Sequence, residues 1–222
     1  MSSSPTHSTP AKPDEEQESV VTETQLFRRH ESQLVLRQIS FYLSDEIGPP
    51  LAYTDLLNTL RTASENDIIF LHLNTPGGNF DTGLQLINNM YASKAHVVTV
   101  LEARAYSMGA MIFLAGHELV VHDNCQLMFH NYSSSLIGKG NEQHAQVLAI
   151  GKWFEKTMSR VCHPFLSHEE IDNILRGEDI WMDSDEIRKR LKRMNKPEKA
   201  ANLKSERVKS AKAKAQRVKP AE

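Results

Sequence analysis

Short, nearly uninterrupted apolar runs alternate along this chain with helix-period segments, and that alternation restricts its fold more than any other feature. Asp67–Leu73 is one such run, and Val97–Leu101 is a second, rich in β-branched residues. Each is too short for a core helix and too continuous for a strand with one wetted face, so each reads as a buried strand. Small-residue turns follow both, and then helical patterns. Phe80–Tyr91 keeps Leu84, Ile87 and Met90 in register, and Ser107–Gly116 reads as a short helix of small and apolar residues. Further strands are predicted at 34–43, 119–121 and 127–129, and further helices at 50–61, at 141–162 and from about Asp183. Asn141–Cys162 carries Val147, Leu148, Gly151, Phe154, Met158 and Val161 close to the 3.6 period. Strands alternating with helices place the chain in the α/β class.

At 222 residues the chain suits one full-sized domain. With 40% apolar and 24% charged residues it is neither a membrane protein, a collagen-like chain nor a wholly disordered one. Residues 1–25, with Pro5, Pro10 and Pro13 among small polar residues, are expected to be a disordered extension. No apolar stretch of signal-peptide length occurs in the first thirty residues, so neither secretion nor a membrane anchor is expected, and a cytoplasmic location is. Two cysteines, Cys125 and Cys162, read as reduced thiols rather than a disulfide scaffold. Residues 187–222 hold fourteen Lys or Arg and three acids, a net +11, which leaves −13 for the rest of a chain whose total is −2. The tail's charge suits an acidic partner, but it has no aromatic residue to stack on a base, so a solvated extension is the simpler reading. The expected organisation is therefore an extension over 1–25, a domain over 26–187 and a basic tail over 188–222.

Two turns carry chemistry. Pro76-Gly77-Gly78 follows a strand and opens a helix. Paired glycines there permit positive φ and let a backbone N–H approach an anion or an oxyanion, although on these residues alone a plain tight strand-to-helix turn is the better reading. Ala105-Tyr106-Ser107-Met108-Gly109-Ala110 sets a serine at a helix start, where a nucleophile would profit from the helix dipole and where an N-cap is the common alternative. A serine nucleophile needs a base, and the base needs an orienting acid. His130 ends the strand Leu127-Met128-Phe129 and suits a base, although by composition alone a hydrogen-bonded structural histidine is the better reading, and Asp123, Asp172, Asp179, Asp183 and Asp185 compete for the acid. His117, His122, Cys125 and His130 lie within fourteen residues, but in no familiar zinc spacing, so no metal is expected.

Together these turns resemble the Clp protease proteolytic subunit family of serine peptidases. Leu71-His72-Leu73-Asn74-Thr75-Pro76-Gly77-Gly78 matches the family's strand and Pro-Gly-Gly turn. Ala105 to Ala110 matches its Ala-Ala-Ser-Met-Gly-Ala. Met128-Phe129-His130-Asn131 stands at its Met-Ile-His-Gln, and Asp179-Ile180-Trp181-Met182 at its Asp-Arg-Phe-Leu/Met. The likeness runs from about Leu34 to Glu186. It implies a crotonase-like, Clp-protease-type fold of repeated β-β-α units, with Asn141–Cys162 as a long handle helix.

It also implies a serine endopeptidase that acts on unfolded polypeptides. Ser107 would be its nucleophile, His130 its base, Asp179 the orienting acid, and the Gly78 and Met108 amides its oxyanion hole. No cofactor is implied. Heptameric rings, single or stacked as a tetradecamer, and an ATP-dependent AAA+ unfoldase are the implied partners. The sequence departs from the family at Asn131-Tyr132-Ser133-Ser134-Ser135, where Gln-Pro and glycines are usual. It departs again at Ile180, where arginine is usual, and at Arg188-Lys189-Arg190-Leu191, where the family has a strand. Two other readings stay open: a crotonase-type acyl-CoA enzyme, which would use similar amides with a carboxylate base, and a ring scaffold whose triad is idle.

Overall fold

Six strands form one sheet in a computed structural model that describes Glu31 and residues 35–194. The chain divides into two units, 1–34 and 35–222, and the fold lies in the second. The expected extension over 1–25 and the tail beyond Met194 lie outside the described residues.

Strands β1 (Arg37–Leu43), β2 (Asp67–Thr75) and β3 (His96–Tyr106) run parallel side by side. β3 is long enough to pair with two short strands end to end. β4 (Glu118–Val121) runs beside its first half and β5 (Gln126–Phe129) beside its last three residues, both parallel. β6 (Ile180–Asp183) closes the far edge antiparallel to β5. The helices are α1 (Thr54–Thr62), α2 (Phe80–Ala92), α3 (Met108–Leu114), α4 (Gly140–Cys162), α5 (His168–Leu175) and α6 (Ser184–Met194), with a 3₁₀ turn over Pro50–Tyr53.

The alternation in β2 explains the layering. Ile69, Leu71 and Leu73 are fully buried against the helices, while Ile68, Phe70 and His72 on the other face are half-buried. Asp67 at the start of β2 is buried as well. Its carboxylate is gripped by the Arg37 guanidinium at 2.6 and 2.8 Å and by the Ser64 amide, which holds its pKa far below the usual carboxylate range.

The sequence missed two elements. No helix or strand is predicted over α5 and β6, yet Ser167 and Glu170 form a reciprocal capping box at the start of α5. α6 also runs through the expected domain edge at 187. Its Arg188 donates to Val121 O, and Arg190 reaches Phe165 O and both Glu170 oxygens. Both cysteines are free and buried. Burial pushes the Cys162 thiol up to about 12, and Cys125 donates to Leu101 O behind β3.

Candidate active site

Parallel strands share one carboxyl end, and side chains that follow them gather there. β2 delivers Pro76-Gly77-Gly78 to that end, β3 delivers Ser107 and β5 delivers His130. β6 runs the other way, so the residue preceding it, Asp179, starts from the same end. The β5–β6 ladder pairs Phe129 with Ile180; one step further puts His130 opposite Asp179. Residues directly opposite across an antiparallel pair bring their Cβ atoms to about 5 Å. That proximity could not be read while β6 went unrecognised.

Ser107 occupies the sharp corner between β3 and α3, with φ +53 and ψ −121, a conformation that side chains other than glycine's strain to adopt. Its amide donates to Met128 O at 2.8 Å, tying the corner to the strand that carries His130. The N-cap alternative fails here, because the Ser107 side chain makes no cap hydrogen bond. The hydroxyl is left at the positive end of α3 beside an open cavity.

The glycine turn packs directly on this corner. A Cβ on Gly77, at φ +94, would lie 2.6 Å from Tyr106 O and 2.8 Å from Ser107 Cβ. Only glycine lets the two turns touch. Ile47 straps the turn in place: its amide donates to Gly77 O and its carbonyl accepts from the Asn79 amide, each at 2.7 Å. Neither the Gly78 nor the Met108 amide donates to any acceptor among the described residues.

A cavity of about 80 Å³ joins these parts. Gly78, Ser107, Met108 and His130 line its polar side, and Phe80, Met111, Tyr132, Phe154 and Met158 its apolar side. Phe154 packs at a tilt between Phe80 (5.6 Å) and Tyr132 (5.3 Å), which makes that wall aromatic.

Of the competing acids, Asp183 caps α6 through the Glu186 amide, and Asp123 and Asp185 pair with Arg188. Asp172 sits on the exposed side of α5. Asp179 is exposed and makes no side-chain hydrogen bond or ion pair among the described residues, so of the five it alone follows the His130 register uncommitted. Among the described residues, neither Ser107 nor Asp179 hydrogen-bonds the His130 ring in this structure.

Two of the four clustered His and Cys residues have other partners. His117 accepts from the Val97 amide and stacks on His96, and Cys125 is buried behind β3. Among the described residues no group of three or more His, Cys, Asp or Glu could hold a metal ion. No helix among them is long and apolar enough to cross a membrane. The sequence did not single out Phe80, Tyr132, Phe154 or Asn131 as site residues. The Asn131-Tyr132 departure from the family pattern was the available signal.

The family model described as Clp protease matches residues 29–190. The chain is 39% identical over 122 residues to the ATP-dependent Clp protease proteolytic subunit of Borreliella afzelii (strain PKo), covering 52% of this chain and 61% of that one. It is 37% identical over 122 residues to the ATP-dependent Clp protease proteolytic subunit 1 of Borreliella burgdorferi, covering 52% and 62%. The same identity and coverage hold for the corresponding subunit of Borrelia garinii subsp. bavariensis. The chain thus spans about three-fifths of the length of the relatives it matches.

Proposed function

The chain belongs to the Clp protease family, and on that premise we propose that it is a serine endopeptidase that cleaves unfolded polypeptides. The observation that carries this reading is the Ser107 corner. Its backbone is strained, its hydroxyl is not spent on capping α3, and it shares one cavity with Gly78, Met108 and His130. Strain of this kind costs about 1–3 kcal/mol and persists where function requires the geometry.

In this mechanism His130 removes the Ser107 proton as Oγ attacks a peptide carbonyl. The Gly78 and Met108 amides receive the oxyanion, worth roughly 3 kcal/mol per donor. Asp179 holds the imidazole in its productive tautomer and stabilises the imidazolium. His130 then protonates the leaving amine, and water hydrolyses the acyl-enzyme by the same path in reverse.

The substrates and partners follow by family. A homo-oligomeric ring in the cytoplasm would enclose the site, and an ATP-dependent unfoldase would feed it. The names of the relatives, ATP-dependent proteolytic subunits, support this. The expected division into extension, peptidase domain and basic tail is kept in this reading, with the fold of the domain carried through α6.

One observation bears on a second reading. The unengaged His130 ring fits an idle scaffold as well as a resting enzyme, since catalytic hydrogen bonds often tighten only when substrate binds. The acyl-CoA alternative gains nothing, because no carboxylate lines the cavity. A fluorophosphonate probe separates the readings. Labelling of wild type but not of Ser107→Ala, with loss of peptide cleavage in the variant, supports the peptidase. An unlabelled, fully assembled wild type overturns it.

A further inference from the structure

The backbone ladder that brings His130 and Asp179 side by side stops just short of both, at Phe129 and Ile180. Beyond that last rung one side chain reaches across. Asn131 Nδ2 donates to Leu175 O at 3.0 Å, joining residues forty-four positions apart. Its Oδ1 accepts from the Tyr132 amide at 2.9 Å, so one amide end faces an acceptor and the other a donor, and its orientation is fixed.

Leu175 ends α5, so its carbonyl belongs to the last turn that the helix itself leaves unpaired. The turn after it is locked to that helix end. The amide of Arg176 donates to Asp172 O and Asn173 O, that of Gly177 to Ile174 O and that of Glu178 to Asn173 O. Gly177 takes φ +108 to make the turn. Asp179 is the single residue between this locked turn and Ile180 in the ladder. The Asn131 bond therefore fastens the His130 segment to the segment that aims Asp179.

We propose that Asn131 is a positioning residue, which keeps the His130 and Asp179 segments side by side so that their hydrogen bond can close when substrate binds. The inference rests on the reading of Ser107, His130 and Asp179 as a triad, and it adds a residue to which nothing else assigns a role. Asn131 does not line the cavity at Ser107; it acts through the other two.

The test compares peptide cleavage and fluorophosphonate labelling in the full-length protein. Asn131→Ala lowers kcat about tenfold or more, with KM within about twofold of wild type. Labelling slows in parallel. Added to Asp179→Asn, the same substitution costs less than about twofold, because an acid that no longer orients His130 no longer needs aiming. A residue that merely props the fold would lower both backgrounds equally.

Wild-type kcat in Asn131→Ala, or an undiminished loss on top of Asp179→Asn, overturns the proposal. Asn131→Asp keeps the shape and the acceptor but has no donor for Leu175 O, and it carries the same comparison if the alanine variant does not fold. Failure of both variants to fold makes the bond structural and also overturns it. An unlabelled wild type, or full activity in Asp179→Asn, is a different result: it removes the triad reading itself.

Discussion

Ser107 shows what a residue's identity conceals and its dihedral angles reveal. A serine at a helix start is ordinarily a cap, and nothing in the sequence distinguishes that role from a nucleophile's. The φ of +53 and the missing cap bond set the cap role aside. Glycine adopts this conformation freely, alanine does not, and the difference appears as stability. Both Ser107→Gly and Ser107→Ala should abolish cleavage, but urea unfolding should find the glycine variant the more stable by about 1 kcal/mol. Equal stabilities would mean that the corner is unstrained. His130 was legible as a strand-end histidine. Asp179 was not legible from its surroundings, since five aspartates competed and only the family pattern favoured one. The structure commits three of the others to Arg188 or to the α6 cap.

Elements were legible where their period was long and regular. α2 and α4 appear within a residue of their predicted bounds, and β2 within two. β6 escaped because four residues flanked by acids give no period to count. α5 escaped although its capping box was written as Ser167 and Glu170. Where elements meet, the packing makes firm demands. Gly77→Ala would drive a Cβ into Tyr106 O at positive φ, so it should cost more than about 2 kcal/mol and should lower labelling of Ser107 even in folded protein. Wild-type labelling would separate the turn from the corner. The apolar wall of the cavity makes a further demand. A cavity of about 150 Å³ holds a benzene ring, so the 80 Å³ beside Ser107 suits a small aliphatic side chain. Tyr132→Ala should raise cleavage after phenylalanine by about tenfold relative to cleavage after alanine, measured as a kcat/KM ratio. An unchanged ratio would place the specificity pocket elsewhere.

At the scale of the whole molecule, two features decide when the domain holds together and with what. The first is the clamp between α5 and α6. Hydrogen bonds from Arg190 hold Glu170 down to about 2 against an ordinary value near 4.5. A carboxylate depressed on folding binds fewer protons folded than unfolded. Its stabilisation is present above the unfolded value and is lost as pH falls toward the folded one. Urea midpoints should therefore drop between about pH 5 and pH 2, and Glu170→Gln should be less stable at pH 7, with a shallower drop, by about 1–2 kcal/mol after solvent screening. A parallel curve for the variant would remove Glu170 as the cause. The second feature is α4. Phe154, Met158, Val161 and Cys162 bury its second half, while Val147, Leu148 and Trp153 stay about half exposed and Ile137 before it is 97% exposed. The 3.6-period stripe thus runs past the core of its own subunit, and an apolar surface of that kind marks an interface. A head-to-tail interface that closes forms a ring, and rings that share such a helix can stack. Sedimentation at micromolar concentration should show a closed oligomer for wild type. Leu148→Glu, exposed in the single subunit and so nearly neutral for its folding, should shift the protein to smaller species, and the exclusion of solvent around the site should fall with it. A stable wild-type monomer, or an oligomer indifferent to Leu148→Glu and Val147→Glu alike, would mean that α4 is not what joins the subunits.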